Sequence, residues 1–224
     1  MGNLSGFING GTVPSSASVT KNTVAGLEDN ATNVLFESLI SKINATGGNA
    51  GWRDNIQSFS AARGNGTTEP IWRDMGNGQF AFQFTPGDEL FVQFHINHDY
   101  ALGTNGYPHI HFLCLDAQSA GTTVDWRFAY TIAKGHMQGE SLTVTETIID
   151  MTYTFTGSEV AGEHIVLECS DGQAFDLIEP DALVMARVEL LSETASGRIF
   201  CLMSDIHYRA NYFSTKNKAP NFYA

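Results

Sequence analysis

From residue 79 to residue 210 apolar side chains recur at every second position, and that period fixes the kind of structure the chain can form. In "QFAFQFT" (79–85), Phe80, Phe82 and Phe84 alternate with Gln79, Ala81 and Gln83. Successive side chains of an extended strand point to opposite faces, so such a segment has one apolar face that must be covered. The pattern continues through "ELFVQFHIN" (89–97), "PHIHFLCLD" (108–116), "TTVDWRFAYTIA" (122–133), "LTVTETIIDMTYTFT" (142–156), "EHIVLEC" (163–169), "DALVMARVELLSE" (181–193) and "GRIFCLMSDIHYRA" (197–210), with Gly, Ser, Asp and Pro between the runs. Many short strands at this spacing predict an all-β protein, a jelly-roll-like antiparallel β-sandwich of about eight strands. "EPIWRDM" (69–75) is a candidate ninth. "MARVELLSE" (185–193) also fits a helical period, but its flanks favour a strand.

The N-terminal part reads differently. Residues 1–30 are polar and glycine-rich, with too few apolar anchors to fold alone. In "NATNVLFESLISKINATGG", Val34, Leu35, Leu39, Ile40 and Ile43 recur at helical spacing, and Gly47 and Gly48 supply a stop. The expected organisation is an N-terminal arm with one short amphipathic helix (1–49), a sandwich domain (50–211) and a C-terminal tail (212–224). The apolar stripe of the helix is the expected partner-binding face.

Composition narrows the function. The 224 residues carry 24 acids against 12 bases, a formal net charge of −12, and no basic run. Such a chain repels phosphate backbones, which argues against nucleic-acid binding. No run of apolar residues is long enough to span a membrane as a helix, and "MGNLSGFINGG" lacks the features of a secretory signal. Cys114, Cys169 and Cys201 are odd in number and widely spaced, as expected of buried, reduced thiols.

The densest chemistry lies in "HINHDYALGTNGYPHIHF" (95–112), which holds four of the seven histidines. If the runs on either side of Gly103 formed a hairpin, His95 would face His111, and His109 and His111 would share a face. His95, His109 and His111 are then the candidates for a metal site with an open position. The "HIH" resembles the His-x-His motif of the cupins, a jelly-roll family that binds metal. The cupin pattern continues with a glutamate, where this chain has Leu115 and Asp116. The other reading is a hydrogen-bonded polar seam with no cofactor, and it is the one expected here. No nucleophile elbow, phosphate loop or His-Glu-x-x-His motif is present, so no catalytic residue is assigned and no enzyme is expected. Asp205 and His207 ("SDIHY") share a strand face and read as a structural pair. Tyr100, Tyr107 and Trp126 are the candidate contacts if the protein binds glycans.

Five stretches together resemble a family of tailed-bacteriophage virion proteins: "WRDNI" (52–56), "PGDELFVQFHINHDYALGTNGYPHIHFL" (86–113), "TVDWRFAYTIAKG" (123–135), "LIEPDALVMARVEL" (177–190) and "SDIHYRANYFSTKNKAPNFY" (204–223). The family carries a His-x-x-His-Asp-Tyr motif and a Pro-His-Ile-His motif followed by tryptophan; Phe112 replaces that tryptophan here. The resemblance covers residues 50–223. It implies a structural protein of the phage particle, assembled in the host cytoplasm. A capsid decoration (cement) protein is expected, as a homotrimer that bridges major capsid proteins on the outside of the head. A tail or baseplate component is the alternative.

Overall fold

The computed structural model describes residues 50–57, 59, 61–62, 69–76, 78–136, 138, 146–211 and 214–222. The helix expected on Val34, Leu35, Leu39, Ile40 and Ile43, and nearly all of the arm, lie outside the described residues.

Among the described residues, twelve strands follow in chain order: β1 (Ala50–Gln57), β2 (Ala61–Ala62), β3 (Ile71–Gly76), β4 (Gln79–Phe84), β5 (Glu89–His95), β6 (Asn105–Cys114), β7 (Thr123–Ala133), β8 (Thr147–Thr154), β9 (Ile165–Glu168), β10 (Phe175–Asp176), β11 (Leu183–Glu193) and β12 (Ile199–Asn211). They form two antiparallel sheets. One has seven strands in the order β10-β6-β12-β4-β3, with β1 also pairing with β12 and β9 with β6. The other has five, in the order β2-β5-β11-β7-β8. Each alternating run of the sequence contains a strand, and β3 is the candidate ninth. The ambiguous run 185–193 lies within β11, whose residues pair in register with β5 and β7. The hydrogen bonds of two neighbouring strands outweigh its helical spacing.

The core lies between the sheets. On β6 the even positions Ile110, Phe112 and Cys114 are buried in it, and on β12 so are Cys201, Ile206 and Tyr208. The five-stranded sheet contributes Val92, Phe94, Trp126, Phe128, Val184 and Val188. Trp126 is the centrepiece, fully buried, with its ring 5.2 Å from Phe84 and 5.8 Å from Phe112. Odd positions of β6 point away from the core, and these carry Tyr107, His109, His111 and Leu113.

One expectation fails. The runs around Gly103 do not form a hairpin: β5 pairs with β11 and β2, whereas β6 pairs with β12, β9 and β10. Residues 96–104 pass from one sheet to the other, and Ile96 and Tyr100 are buried in the core along the way. Two apolar anchors inside the connection are what rule out a solvated hairpin loop.

Trp126 Nε1 is buried with no hydrogen-bond partner among the described residues, so the ring acts here through its bulk alone. Trp126→Ala is expected to destabilise the domain by about 3–5 kcal/mol. Trp126→Phe, which loses area but no hydrogen bond, should cost only about 1 kcal/mol. Urea unfolding of the two variants checks the difference.

Candidate functional site

All seven histidines belong to one of two clusters, each gathered around carboxylates. The first lies on the outer face of the seven-stranded sheet and follows from register. His109 on β6 stands directly opposite Asp205 on β12 and, on its other side, opposite Glu168 on β9. Directly opposed side chains on one face of a sheet are in contact distance. His109 Nδ1 is 3.1 Å from Asp205 Oδ1, and His109 Nε2 is hydrogen-bonded to Glu168 Oε2. His111, two residues on and so on the same face, places Nε2 3.3 Å from Asp205 Oδ2. Its Nδ1 is 2.8 Å from His164 Nε2. His207, two residues beyond Asp205, reaches Glu168 with Nδ1 at 3.2 Å and Asp54 of β1 with Nε2 at 3.8 Å. Trp52 closes the row, with its ring 4.7 Å from that of His207 and the Arg209 guanidinium over it at 4.6 Å.

This cluster sits on an outer face, yet its centre is closed to water. Asp205 is 2% exposed and His109 7%. Burial raises the pKa of Asp205, but the His109 and His111 imidazoles beside it outweigh burial and bring the group down to about 2. Burial lowers that of His109, and the Asp205 and Glu168 carboxylates outweigh burial there too, so the net shift is upward. Glu168 follows the same logic: burial raises it, and His109 and His207 pull it below the usual carboxylate range. Two carboxylates and one buried imidazole thus favour the charged state of one another.

The second cluster is built from the end of β5 and from loops. His95 Nε2 and His98 Nε2 approach Asp181 Oδ1 at 3.2 and 2.9 Å, and His136 Nε2 is hydrogen-bonded to Asp181 Oδ2. The loops are pressed close together: a Cβ on Gly135 would lie 2.7 Å from the Asp181 carbonyl oxygen. His136 and Asp181 both hold positive φ, +57° and +63°, a conformation uncommon outside glycine. The C-terminal tail seals this cluster. The buried Phe222 packs on the rings of His98 and His136 at 5.7 and 5.9 Å, and His98 Nδ1 is 2.5 Å from Thr215 Oγ1.

Of the three metal candidates read from the sequence, His109 and His111 come together and His95 does not. His95 ends β5 in the other sheet, opposite Leu183, because the connection after it crosses the sandwich. Asp205 and His207 do share a face, as their spacing requires. Glu168, His164 and Asp54 had no signal of their own, since only the strand order β9-β6-β12-β1 brings them in. Of the aromatic candidates, Tyr100 and Trp126 are core residues, and Tyr107 packs edge-on against Trp52 at 5.5 Å. Among the described residues the exposed aromatics are Trp52, Trp72 and Phe80. The three cysteines are buried and free, and burial pushes Cys114 and Cys169 up to about 12. They are unreactive thiols at neutral pH.

No protein-family model and no curated protein matches the chain. Solved structures similar to it include the CBM22-1 xylan-binding domain from Paenibacillus barcinonensis Xyn10C, at 10% identity over 71% of this chain and 93% of that one, with a TM-score of 0.36. A carbohydrate-binding module specific for non-crystalline cellulose, CBM28, is 13% identical over 68% of this chain and 87% of that one, with a TM-score of 0.29. TmCBM61 in complex with β-1,4-galactotriose is 12% identical over 75% of this chain and 92% of that one, with a TM-score of 0.28. Likeness at this level carries no argument about what this chain binds.

A buried carboxylate paired with imidazoles is costly to break. Asp205→Asn, which keeps shape and removes charge, is expected to lower stability at pH 7 by about 3 kcal/mol. Glu168→Gln, at an exposed position, should cost about 1 kcal/mol. Urea midpoints of the two variants at one pH test the ranking.

Proposed function

We propose that the chain is a non-catalytic structural component of a tailed-phage particle, a decoration protein that joins neighbouring subunits on the head. The observation that carries this reading is an exposed apolar groove on the seven-stranded side of the sandwich. Ile56, Trp72 and Phe80 are 60%, 57% and 51% exposed. Trp72 stacks on Phe80 with ring centroids 6.3 Å apart and lies against Phe82 at 4.8 Å. Ile56, Phe59, Trp72, Phe82 and Leu202 line a groove of about 540 Å³. Large apolar side chains gathered in one place, rather than scattered singly, mark a surface meant to be covered.

The occupant assigned to this groove is a second copy of the chain, which makes the closed oligomer. The arm, with Val34, Leu35, Leu39, Ile40 and Ile43, is assigned to the major capsid protein. The family resemblance of residues 50–223 supports a place in the particle, and the net charge of −12 suits a surface kept away from packaged DNA. Such a protein acts through buried area: each added interface is one more that internal pressure must separate.

The same exposed Trp72 and Phe80 rings favour a second reading, glycan binding, because flat aromatic faces are good platforms for the apolar face of a sugar ring.

Native mass spectrometry of the full chain separates the two. The structural reading expects a closed oligomer, with Trp72→Ser or Phe80→Ser each weakening it by about 2 kcal/mol per interface, as hot-spot aromatics do. It also expects that removal of residues 1–45 leaves the oligomer intact and abolishes binding to heads. A monomer at tens of micromolar whose Trp72→Ser variant loses binding on a glycan array would overturn it in favour of glycan recognition.

A further inference from the structure

We infer that the outer face of the seven-stranded sheet holds a divalent transition-metal site of the zinc class, with His109 Nδ1, His111 Nε2 and the Asp205 carboxylate as its protein ligands. The nitrogen and oxygen donors of these three residues all lie within 4.8 Å of one another. Donors bound at about 2.0–2.2 Å around one ion sit roughly 3–3.5 Å apart, and the two nitrogen–oxygen separations here are 3.1 and 3.3 Å.

Direction distinguishes this arrangement from an ordinary ion pair. His111 Nε2 and Asp205 Oδ1 are both buried, and neither has a hydrogen-bond partner among the described residues. Buried polar atoms at contact distance that do not aim at each other are rare and costly. They are the geometry expected of lone pairs that converge on a shared point between them.

The remaining ring nitrogens complete the argument. Metal-bound imidazoles commonly donate their second N–H to a carboxylate or another acceptor, which fixes the tautomer and turns the ligating lone pair inward. His109 Nε2–H donates to Glu168 Oε2, which leaves Nδ1 to face Asp205. His111 Nδ1 lies 2.8 Å from His164 Nε2; with the proton of this contact on His111 Nδ1, Nε2 is left to face Asp205. A second grouping of Asp54, His109 and His207 also comes within ligand distance. It is the weaker one, because His109 Nε2 is committed to Glu168 and Asp54 stands 3.8 Å from His207. Two imidazoles and a carboxylate suit zinc and its neighbours better than calcium or magnesium, which take oxygen donors. Three protein ligands leave a position for water or for a group from a partner.

The test is titration of chelator-treated full-length protein with Zn²⁺, followed calorimetrically, with Co²⁺ absorption as a second probe. One ion per chain is expected. His111→Ala and Asp205→Asn should each weaken binding at least 100-fold, and His164→Ala by about tenfold through loss of orientation. His98→Ala, in the other histidine cluster, and Asp54→Asn should leave it unchanged. If a ligand variant does not fold, histidine ¹⁵N spectra of the unmodified protein give the answer: added Zn²⁺ should shift His109 Nδ1 and His111 Nε2 and spare His95, His98 and His136. Absence of binding at micromolar Zn²⁺, binding that survives His111→Ala, or ¹⁵N shifts centred on His95, His98 and His136 would each overturn the assignment.

Discussion

The ladder between β6 and β12 is the constraint on which the rest of this protein depends. It runs from Ile199 opposite Cys114 to Tyr208 opposite Gly106, with one irregularity between Cys201 and Met203. Strand parity then leaves no freedom. Ile110, Phe112, Ile206 and Tyr208 go into the core, and Tyr107, His109, His111, Asp205 and His207 go to the outer face. A one-residue slip of either strand would exchange its own two faces, placing two imidazoles (β6) or a carboxylate and an imidazole (β12) between the sheets and two large apolar groups in water. Gly106 shows how tightly the pair is held: a Cβ there would lie 2.8 Å from Leu177 Cδ2 and 2.9 Å from Ile206 Cγ2.

Burying charge on an outer face needs its own explanation. Taking a carboxylate out of water costs several kcal/mol, and opposite charge returns that only when the geometry is good. Here Asp205 has an imidazole on either side of its carboxylate, and Glu168 lies beyond the first of them. Ser204 Oγ, one residue before Asp205, donates to the His109 carbonyl oxygen at 2.7 Å and ties the same two strands from the core side. The cluster therefore adds specificity of register to the ladder, since only this pairing gives each charge a partner.

How much of this could be read from the sequence follows from the range of the interactions. The strands were legible because alternation is local: "QFAFQF" and "TVDWRFAYTIA" carry their own period. β1 was not, because "AGWRDNIQ" is polar; it joins the seven-stranded sheet through pairing with β12, and Asn55 ties it to the other sheet by donating to the His95 carbonyl oxygen at 2.8 Å. At the site, that His109 and His111 share a face could be read from their spacing. Their partners could not, since Asp205 and Glu168 are 96 and 59 residues from His109 and only the order β9-β6-β12 makes them neighbours. The pairing of His95 with His111 failed for the matching reason. Proximity in sequence suggested a hairpin, and the buried Ile96 and Tyr100 carry the chain across the sandwich instead.

The two histidine clusters contain similar groups and differ in how their lone pairs are used. Asp181 faces three imidazoles, all through Nε2, and a carboxylate has about four acceptor positions. No buried atom of that cluster lacks a hydrogen-bond partner. The side chains of His95, His98 and His136 are 58%, 34% and 35% exposed, so water can complete their hydrogen bonding. Its members sit on connections and on a tail, some at strained φ, where small movements are least costly. The Asp205 cluster is the reverse. Its donors are fixed by the ladders of β6, β9 and β12, so they cannot turn toward one another to repair poor angles. Rigid elements that hold buried donors at ligand spacing, without hydrogen-bond direction, supply preorganisation that a metal ion can use and a proton network cannot. An ion bound there would link the two strands whose register sets the whole sandwich, which is the place where one added constraint would stiffen the domain most.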